Sequence, residues 1–180
     1  KGRELFRSHA DVLNEITRVY DVPGEIVVAI WGIESRYGER PGSAPAIAAL
    51  ATLAYDARRS DFFRRELIAA LRIIDHGDAE PETLVGSWAG ALGQPQFMPS
   101  SFVHYAVDFD GDGRRRWDEW PDMLGSAANY LARHGYSGST FDPASPIGRS
   151  IYAYNHSENY VKVMLELRAA ERDERIEATC

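Results

Sequence analysis

Three stretches of this sequence hold residues whose types and spacing could do chemistry. The first is Ile30-Trp31-Gly32-Ile33-Glu34-Ser35-Arg36-Tyr37-Gly38, with the lone carboxylate Glu34 near the end of an apolar run. Val27, Trp31 and Glu34 fall at i, i+4 and i+7, so on a helix the carboxylate continues a row begun by two hydrophobic side chains. A carboxyl group against apolar neighbours is disfavoured in its charged form, which moves its pKa toward the range a proton donor needs near neutral pH. An exposed Glu at a helix end, paired with Arg36 or Arg40, fits the same spacing, and both readings stand. The second stretch is Asp108-Phe109-Asp110-Gly111-Asp112-Gly113-Arg114, which with Glu119 fills the pattern D-x-[DN]-x-[DN]-G-x5-E. Read as a calcium loop, Asp108, Asp110 and Asp112 take positions 1, 3 and 5, the Arg114 carbonyl position 7 and Glu119 position 12. Three carboxylates so close repel one another unless a cation neutralises them; the alternative is a solvated Asp-rich turn. The third stretch, residues 86–102, mixes glycines, aromatics, Gln94, Gln96 and prolines with neither helical nor strand period. Neutral donors and acceptors beside flat aromatic faces suit an uncharged polar ligand such as a sugar, or else form a rigid core loop.

The elements that must position these residues read as helices. Residues 4–20 form an amphipathic stripe with Leu5, Val12, Leu13, Ile16 and Val19 inward. Pro23 opens the next helix, whose face is Ile26, Ile30, Ile33 and Tyr37 and whose stop is Gly38. Residues 46–56 predict a helix of small residues, and 61–76 another with Phe62, Leu67, Leu71 and Ile74 inward. A short helical turn is expected at 82–85 and a short hairpin at the Asp-rich loop. A helix at 122–134 buries Met123, Leu124, Ala127, Tyr130 and Leu131, and 135–149 reads as loop. Two last helical pieces fall at 151–154 and 157–170, the second capped by Ser157, with a charged helix end at 171–177. Tyr152, Tyr154 and Tyr160 gather around Asn155. The sum is an all-α domain, α+β at most.

Composition bounds the partners. At 180 residues, 44% hydrophobic and 26% charged, the chain can bury a core and is too apolar for disorder. Its net charge of −7 argues against a general nucleic-acid binder, with Arg114-Arg115-Arg116 the one local basic candidate. The single Cys180 excludes an intramolecular disulfide, and no apolar run approaches a membrane span. The chain starts at Lys1 rather than Met, which reads as a processed or trimmed piece.

Several stretches together resemble the lytic murein transglycosylases of the membrane-bound B type, glycoside hydrolase family 103. They are I-W-G-I-E-S-R-Y-G at 30–38, A-L-A-T-L-A-Y-D-A-R-R at 49–59 and G-S-W-A-G-A-L-G-Q-P-Q-F-M-P-S-S-F at 86–102. Y-A-V-D-F-D-G-D-G at 105–113, A-N-Y-L-A-R-H-G at 128–135 and Y-N-H-S-E-N-Y at 154–160 follow in the family's order. The resemblance implies one lysozyme-like helical domain over 1–180 with an EF-hand-like calcium loop inserted at about 105–122. It implies cleavage of the β-1,4 bond between N-acetylmuramic acid and N-acetylglucosamine with formation of a 1,6-anhydromuramoyl end. The family's catalytic carboxylate falls on Glu34, and its sugar-contacting positions on Ser87, Gln96, Tyr154, Asn155 and Tyr160, with Tyr130 a further candidate. The usual glycosidase pair needs a second Asp or Glu, and the shared motifs place none. The calcium ligands implied are Asp108, Asp110, Asp112 and Arg114, closed by Asp122 where the generic loop rule favours Glu119; the ion is structural, and no organic cofactor is expected.

The same resemblance implies glycan strands of peptidoglycan as partner, no nucleic acid, a monomer, and membrane association only through a segment absent from this chain. Localisation follows from the substrate: the periplasm or the inner face of the outer membrane of a Gram-negative bacterium. The family carries a longer segment between the positions of Gly135 and Tyr154, so the groove is expected to be more open there. A lysozyme-type hydrolase and a non-catalytic, calcium-stabilised wall-binding module are the competing readings.

Overall fold

The computed structural model describes residues 1–177, with side chains through residue 167; Cys180 lies outside the described residues. The chain is helical, as expected: α1 (Gly2–Ser8), α2 (Ala10–Tyr20), α3 (Gly24–Ser35), α4 (Ala46–Tyr55), α5 (Ser60–Asp75), α6 (Pro99–Tyr105), α7 (Trp120–Arg133), α8 (Pro146–Tyr154) and α9 (Glu158–Glu177). Two strands, β1 (Ala44–Pro45) and β2 (Val85–Gly86), pair antiparallel with Ala44 opposite Gly86. The chain divides into two compact units, residues 1–32 with 127–180 and residues 33–126, the divisions falling inside α3 and α7.

In the first unit the stripe expected over 4–20 is interrupted at His9, which takes a non-helical φ of −115° and ψ of 20° while its ring bonds back to the Leu5 carbonyl at 2.8 Å. The ladder closes around it, Leu13 N–H reaching the His9 carbonyl. Leu13 and Ile16 are buried, but Val19, at the edge of that stripe, is 48% exposed. From Gly24 to Trp31 every residue of α3 is buried, the pattern of a helix apolar all round rather than on one face. Gly24 lets α2 approach, since a β-carbon there would stand 3.0 Å from Leu13 Cβ. α8 begins five residues before the expected 151, because Ser145 caps it through Gly148 N–H and Pro146 supplies a ready-made first turn. Ser157 caps α9 as expected, accepting from Tyr160 N–H.

In the second unit α5 packs against both α4 and α6. The buried face of α5 is Phe63, Glu66, Ala69, Ala70 and Ile73, whereas the expected inward residue Leu71 is 46% exposed. The face is rotated because Glu66 is buried with its charge occupied: its carboxylate accepts from Ser100 N–H at 2.9 Å and Ser100 Oγ at 2.8 Å. The N-cap of α6, Met98, has no side chain able to cap, so Glu66 satisfies an otherwise orphaned donor from a neighbouring helix. Replacing Glu66 with Ala is therefore expected to lower stability by roughly 2–4 kcal/mol. A thermal unfolding midpoint roughly 5–10 °C below the parent would show it.

Two further expectations fail in this unit. The turn of helix at 82–85 is a hydrogen-bonded turn leading into β2, and no hairpin forms at the Asp-rich loop among the described residues; the strand pairing is the long-range one between β1 and β2, with α4 and α5 between them. Residues 86–97 are braced by isolated bridges, Gly86 to Leu92 and Leu92 to Phe97, so the stretch without period is an ordered backbone weave.

Candidate functional site

Glu34 stands in the last turn of α3, half-buried, beside the buried Ser35. Three successive residues then take left-handed backbone angles, Arg36 at φ 53°, Tyr37 at 58° and Gly38 at 80°, so the helix stops at Ser35 rather than at Gly38 and the chain turns sharply. The turn is tied to the helix end: Gly38 N–H donates to Ser35 Oγ at 3.0 Å and Arg40 N–H to the Ser35 carbonyl at 2.8 Å. Neither Arg36 nor Arg40 forms an ion pair among the described residues.

The 86–97 weave lies against this turn. A β-carbon on Gly38 would sit 2.5 Å from Gln94 Oε1, and one on Gly42 2.2 Å from the Gly86 backbone, so both glycines are required by close approach. Gln96, itself at φ 52°, donates from Nε2 to the Pro41 carbonyl at 3.0 Å and to the Gly93 carbonyl at 2.7 Å. Ser87 Oγ accepts from Ala91 N–H at 3.1 Å, closing its own tight turn. Beside it Trp88 is 77% exposed, a flat apolar face open to solvent. Gln94 packs on Gly38 and donates to the Asp118 carbonyl at 2.8 Å, linking the turn after Glu34 to the Asp-rich segment. Its signal was the repeated glutamine around Pro95, readable as polar but not as a clamp.

In the first unit, α7 and α8 bring Tyr130 and Tyr154 together edge to face, with ring centroids 5.0 Å apart. Tyr130 donates its hydroxyl to the Ala153 carbonyl at 2.8 Å and stacks on His134 at 4.0 Å. Its hydroxyl is thus engaged in holding α8 to α7. Asn155 follows α8 as an exposed, extended residue, and Tyr160 is buried in α9. Tyr152 turns away, 42% exposed and facing His156.

The Asp-rich loop gathers Asp108, Asp110 and Asp122, whose carboxylate oxygens lie within 4.8 Å of one another. Gly111 and Gly113, at φ 78° and 88°, wrap the backbone so that Gly111, Asp112 and Gly113 N–H groups all donate to Asp108. Asp122, 2% exposed, accepts from Phe109 N–H at 2.7 Å and Arg116 N–H at 2.9 Å. Burial pushes its carboxyl above the ordinary range against the pull of those backbone donors. No cationic side chain among the described residues pairs with it. An all-oxygen donor set around a buried carboxylate lacking a counter-charge fits a hard divalent cation.

Asp112 and Glu119 do not join the group, because Arg116 reaches Asp112 at 3.1 Å and pairs with Glu119. Arg114 is exposed and donates its N–H to Asp112. Arg115 pairs with Asp78 at 2.5 Å, so the arginine triplet is largely spent on internal pairs rather than forming a basic patch. No helix among the described residues is long and apolar enough to cross a membrane.

Comparison with known proteins places this geometry. The family described as Transglycosylase SLT domain matches residues 1–142. Membrane-bound lytic murein transglycosylase B of Escherichia coli K12 is 44% identical over 137 residues, 75% of this chain and 38% of that protein. The chain therefore spans well under half the length of that curated relative. Among solved structures, the E. coli lytic transglycosylase Slt35 in complex with calcium superposes with a TM-score of 0.88 at 30% identity, over 97% of this chain and 74% of that one. SltB3 of Pseudomonas aeruginosa in complex with NAG-anhNAM-pentapeptide gives 0.89 at 32% identity, over 95% and 62%.

Proposed function

The chain belongs to the Transglycosylase SLT domain family, and from that premise we propose that it is a lytic transglycosylase of peptidoglycan. It cleaves the β-1,4 bond between N-acetylmuramic acid and N-acetylglucosamine and leaves a 1,6-anhydromuramoyl end. The observation that carries the reading is Glu34 itself, a carboxyl at the end of a buried helix, fixed by a turn whose backbone is clamped by Gln94 and Gln96. Its proton passes to the glycosidic oxygen as the bond to the muramoyl C1 breaks. The resulting carboxylate then takes the proton of the muramoyl C6 hydroxyl, whose oxygen closes on C1. The nucleophile belongs to the sugar, so one carboxylate serves both steps and no water is consumed. The anhydro product held by the Pseudomonas relative supports this outcome.

In this reading residues 1–180 act as one catalytic domain with the loop at about 105–122 as an insertion. In the second unit Ser87 and Gln96, and in the first Tyr154, Asn155 and Tyr160, are assigned to sugar contacts, with Tyr130 packed edge to face on Tyr154. Asp108, Asp110 and Asp122 hold calcium by carboxylate, with the Arg114 carbonyl and Asp112 completing the shell once Asp112 leaves Arg116; Slt35, crystallised with calcium, supports the choice of ion. The ion's contribution is to the fold of the loop, and the chemistry stays with Glu34. The partner is the glycan strand, the working form a monomer and the compartment the periplasm or outer-membrane inner face, the last supported by the membrane-bound relative.

Mass spectrometry of the fragments released from purified peptidoglycan tests the activity. Anhydromuramoyl ends are expected. Reducing muramic ends would make the protein a hydrolase, and wall binding without release would make it a binding module.

A further inference from the structure

The outer face of α5 carries a cluster that the reaction above leaves unused. Arg64, Arg65, Ile68, Leu71 and Arg72 fall at i, i+1, i+4, i+7 and i+8, one arc of the helix, and all five are exposed. α6 runs alongside and adds His104 and Val103, and the two helices enclose an open cleft of about 430 Å³. The three arginines give the cleft its charge, Ile68 and Val103 its apolar floor, and no acidic side chain lines it. Asp61 and Asp75 stand on the same arc toward the helix ends, yet none of the three arginines forms an ion pair among the described residues. In a chain of net charge −7, three unspent guanidinium groups around one cleft mark a place for an anion.

The aliphatic residues narrow the choice of anion. Ile68 is 50% and Leu71 46% exposed, beside the arginines rather than in the core. A small soluble anion would leave both in water, and a carboxylate-bearing sugar polymer offers little to cover them. A lipid surface satisfies both chemistries at once: headgroup phosphates accept from the guanidinium forks, and the glycerol–acyl boundary accepts the aliphatic side chains. The opposite face of α5 is locked into the core through Phe63, Ala70 and Ile73 and through the Glu66–Ser100 bonds, so the outer face is presented preformed.

We propose that the α5–α6 face docks this protein on an anionic phospholipid surface, with headgroup phosphates in the arginine cleft and Ile68 and Leu71 at the acyl boundary. The docking is independent of the glycan chemistry and of any covalent anchor.

Flotation of the whole chain with vesicles tests it. Binding is expected to vesicles of phosphatidylglycerol and phosphatidylethanolamine, not to phosphatidylcholine alone, and to weaken as salt rises. Arg64→Ala, Arg65→Ala and Arg72→Ala combined should lower affinity about a hundredfold, roughly fivefold per arginine. The corresponding triple Lys variant should keep most of it, and an unchanged unfolding midpoint in both confirms that these exposed changes leave the fold intact. Ile68→Ser with Leu71→Ser should remove the binding that survives at high salt. Equal binding to neutral vesicles, or anionic-vesicle binding undiminished in the triple Ala variant, would overturn the proposal. So would displacement of the vesicles by inorganic phosphate alone, which would make the ligand a free ion. Arginine-dependent retention on isolated cell-wall sacculi, without vesicle binding, would instead assign the cleft to wall carboxylates.

Discussion

Glu34→Gln is expected to lower release of anhydromuramoyl fragments by about 10²–10⁴-fold, the usual contribution of a positioned proton donor and acceptor. The substitution keeps the shape and removes the titrating proton, so neither delivery to the glycosidic oxygen nor removal from the C6 hydroxyl remains. The folded state should scarcely register it. Glu34 is half-buried at the end of a helix whose stability comes from the buried run Gly24–Trp31, and the turn after it is held by Ser35, Gln94 and Gln96. Fragment release from sacculi and the unfolding midpoint, measured on the same preparation, separate the two effects. A large loss of turnover at unchanged stability assigns the acid and base to Glu34. Turnover within a few-fold of the parent would move the chemistry to another group.

Removing divalent cations is expected to destabilise the protein by about 3 kcal/mol relative to calcium at a hundred times its dissociation constant. The difference between calcium and chelator should vanish in Asp122→Ala, because that residue is both the buried ligand and the acceptor of the Phe109 and Arg116 N–H groups. The pH dependence carries a sign of its own. Without cation, burial raises the Asp122 carboxyl pKa, so the folded chain binds its proton more tightly than the unfolded one. This group's contribution to metal-free stability is greatest in acid, below the ordinary carboxylate value, and falls as pH rises through its raised pKa. Calcium needs the carboxylate, so its stabilisation grows over that same interval. Unfolding midpoints with calcium and with chelator should therefore diverge as pH is raised from about 4. Parallel curves would show that no cation bridges Asp108, Asp110 and Asp122.

What the sequence made legible was what lies close along the chain. The Asp-rich loop could be read because Asp108, Asp110, Gly111 and Gly113 act on one another within six residues, and α7 because Met123, Leu124, Ala127 and Leu131 keep strict helical spacing. The allocation of Arg116 to Asp112 and Glu119 could not be read, since a motif assigns ligands without asking which neighbours compete for them. The face of α5 was misread for a similar reason. Glu66 counts as polar until Ser100, 34 residues on, arrives to occupy it, and only then does the buried arc rotate away from Leu71. The strands Ala44–Pro45 and Val85–Gly86 are too short to show a period, and the weave of 86–97 rests on bridges and glycine contacts that no local pattern encodes. From the sequence Glu34 reads as the end of an apolar helical row. That its turn would be clamped by Gln94 and Gln96 was not legible, because those residues meet it only after a 55-residue detour, from Pro41 to Gln96.

The left-handed run that follows α3 has an energetic meaning beyond its geometry. Arg36 and Tyr37 both bear a β-carbon at positive φ, a state disfavoured by about 1–2 kcal/mol each relative to ordinary helical angles. Left to its own preferences, the chain would relax and prolong α3 by another turn. It is kept from doing so by Ser35 beneath, Gln94 against Gly38 and Gln96 on Pro41. The turn that follows Glu34 is thus a loaded spring with its catch on the 86–97 weave, and whatever loosens that weave lets the turn relax.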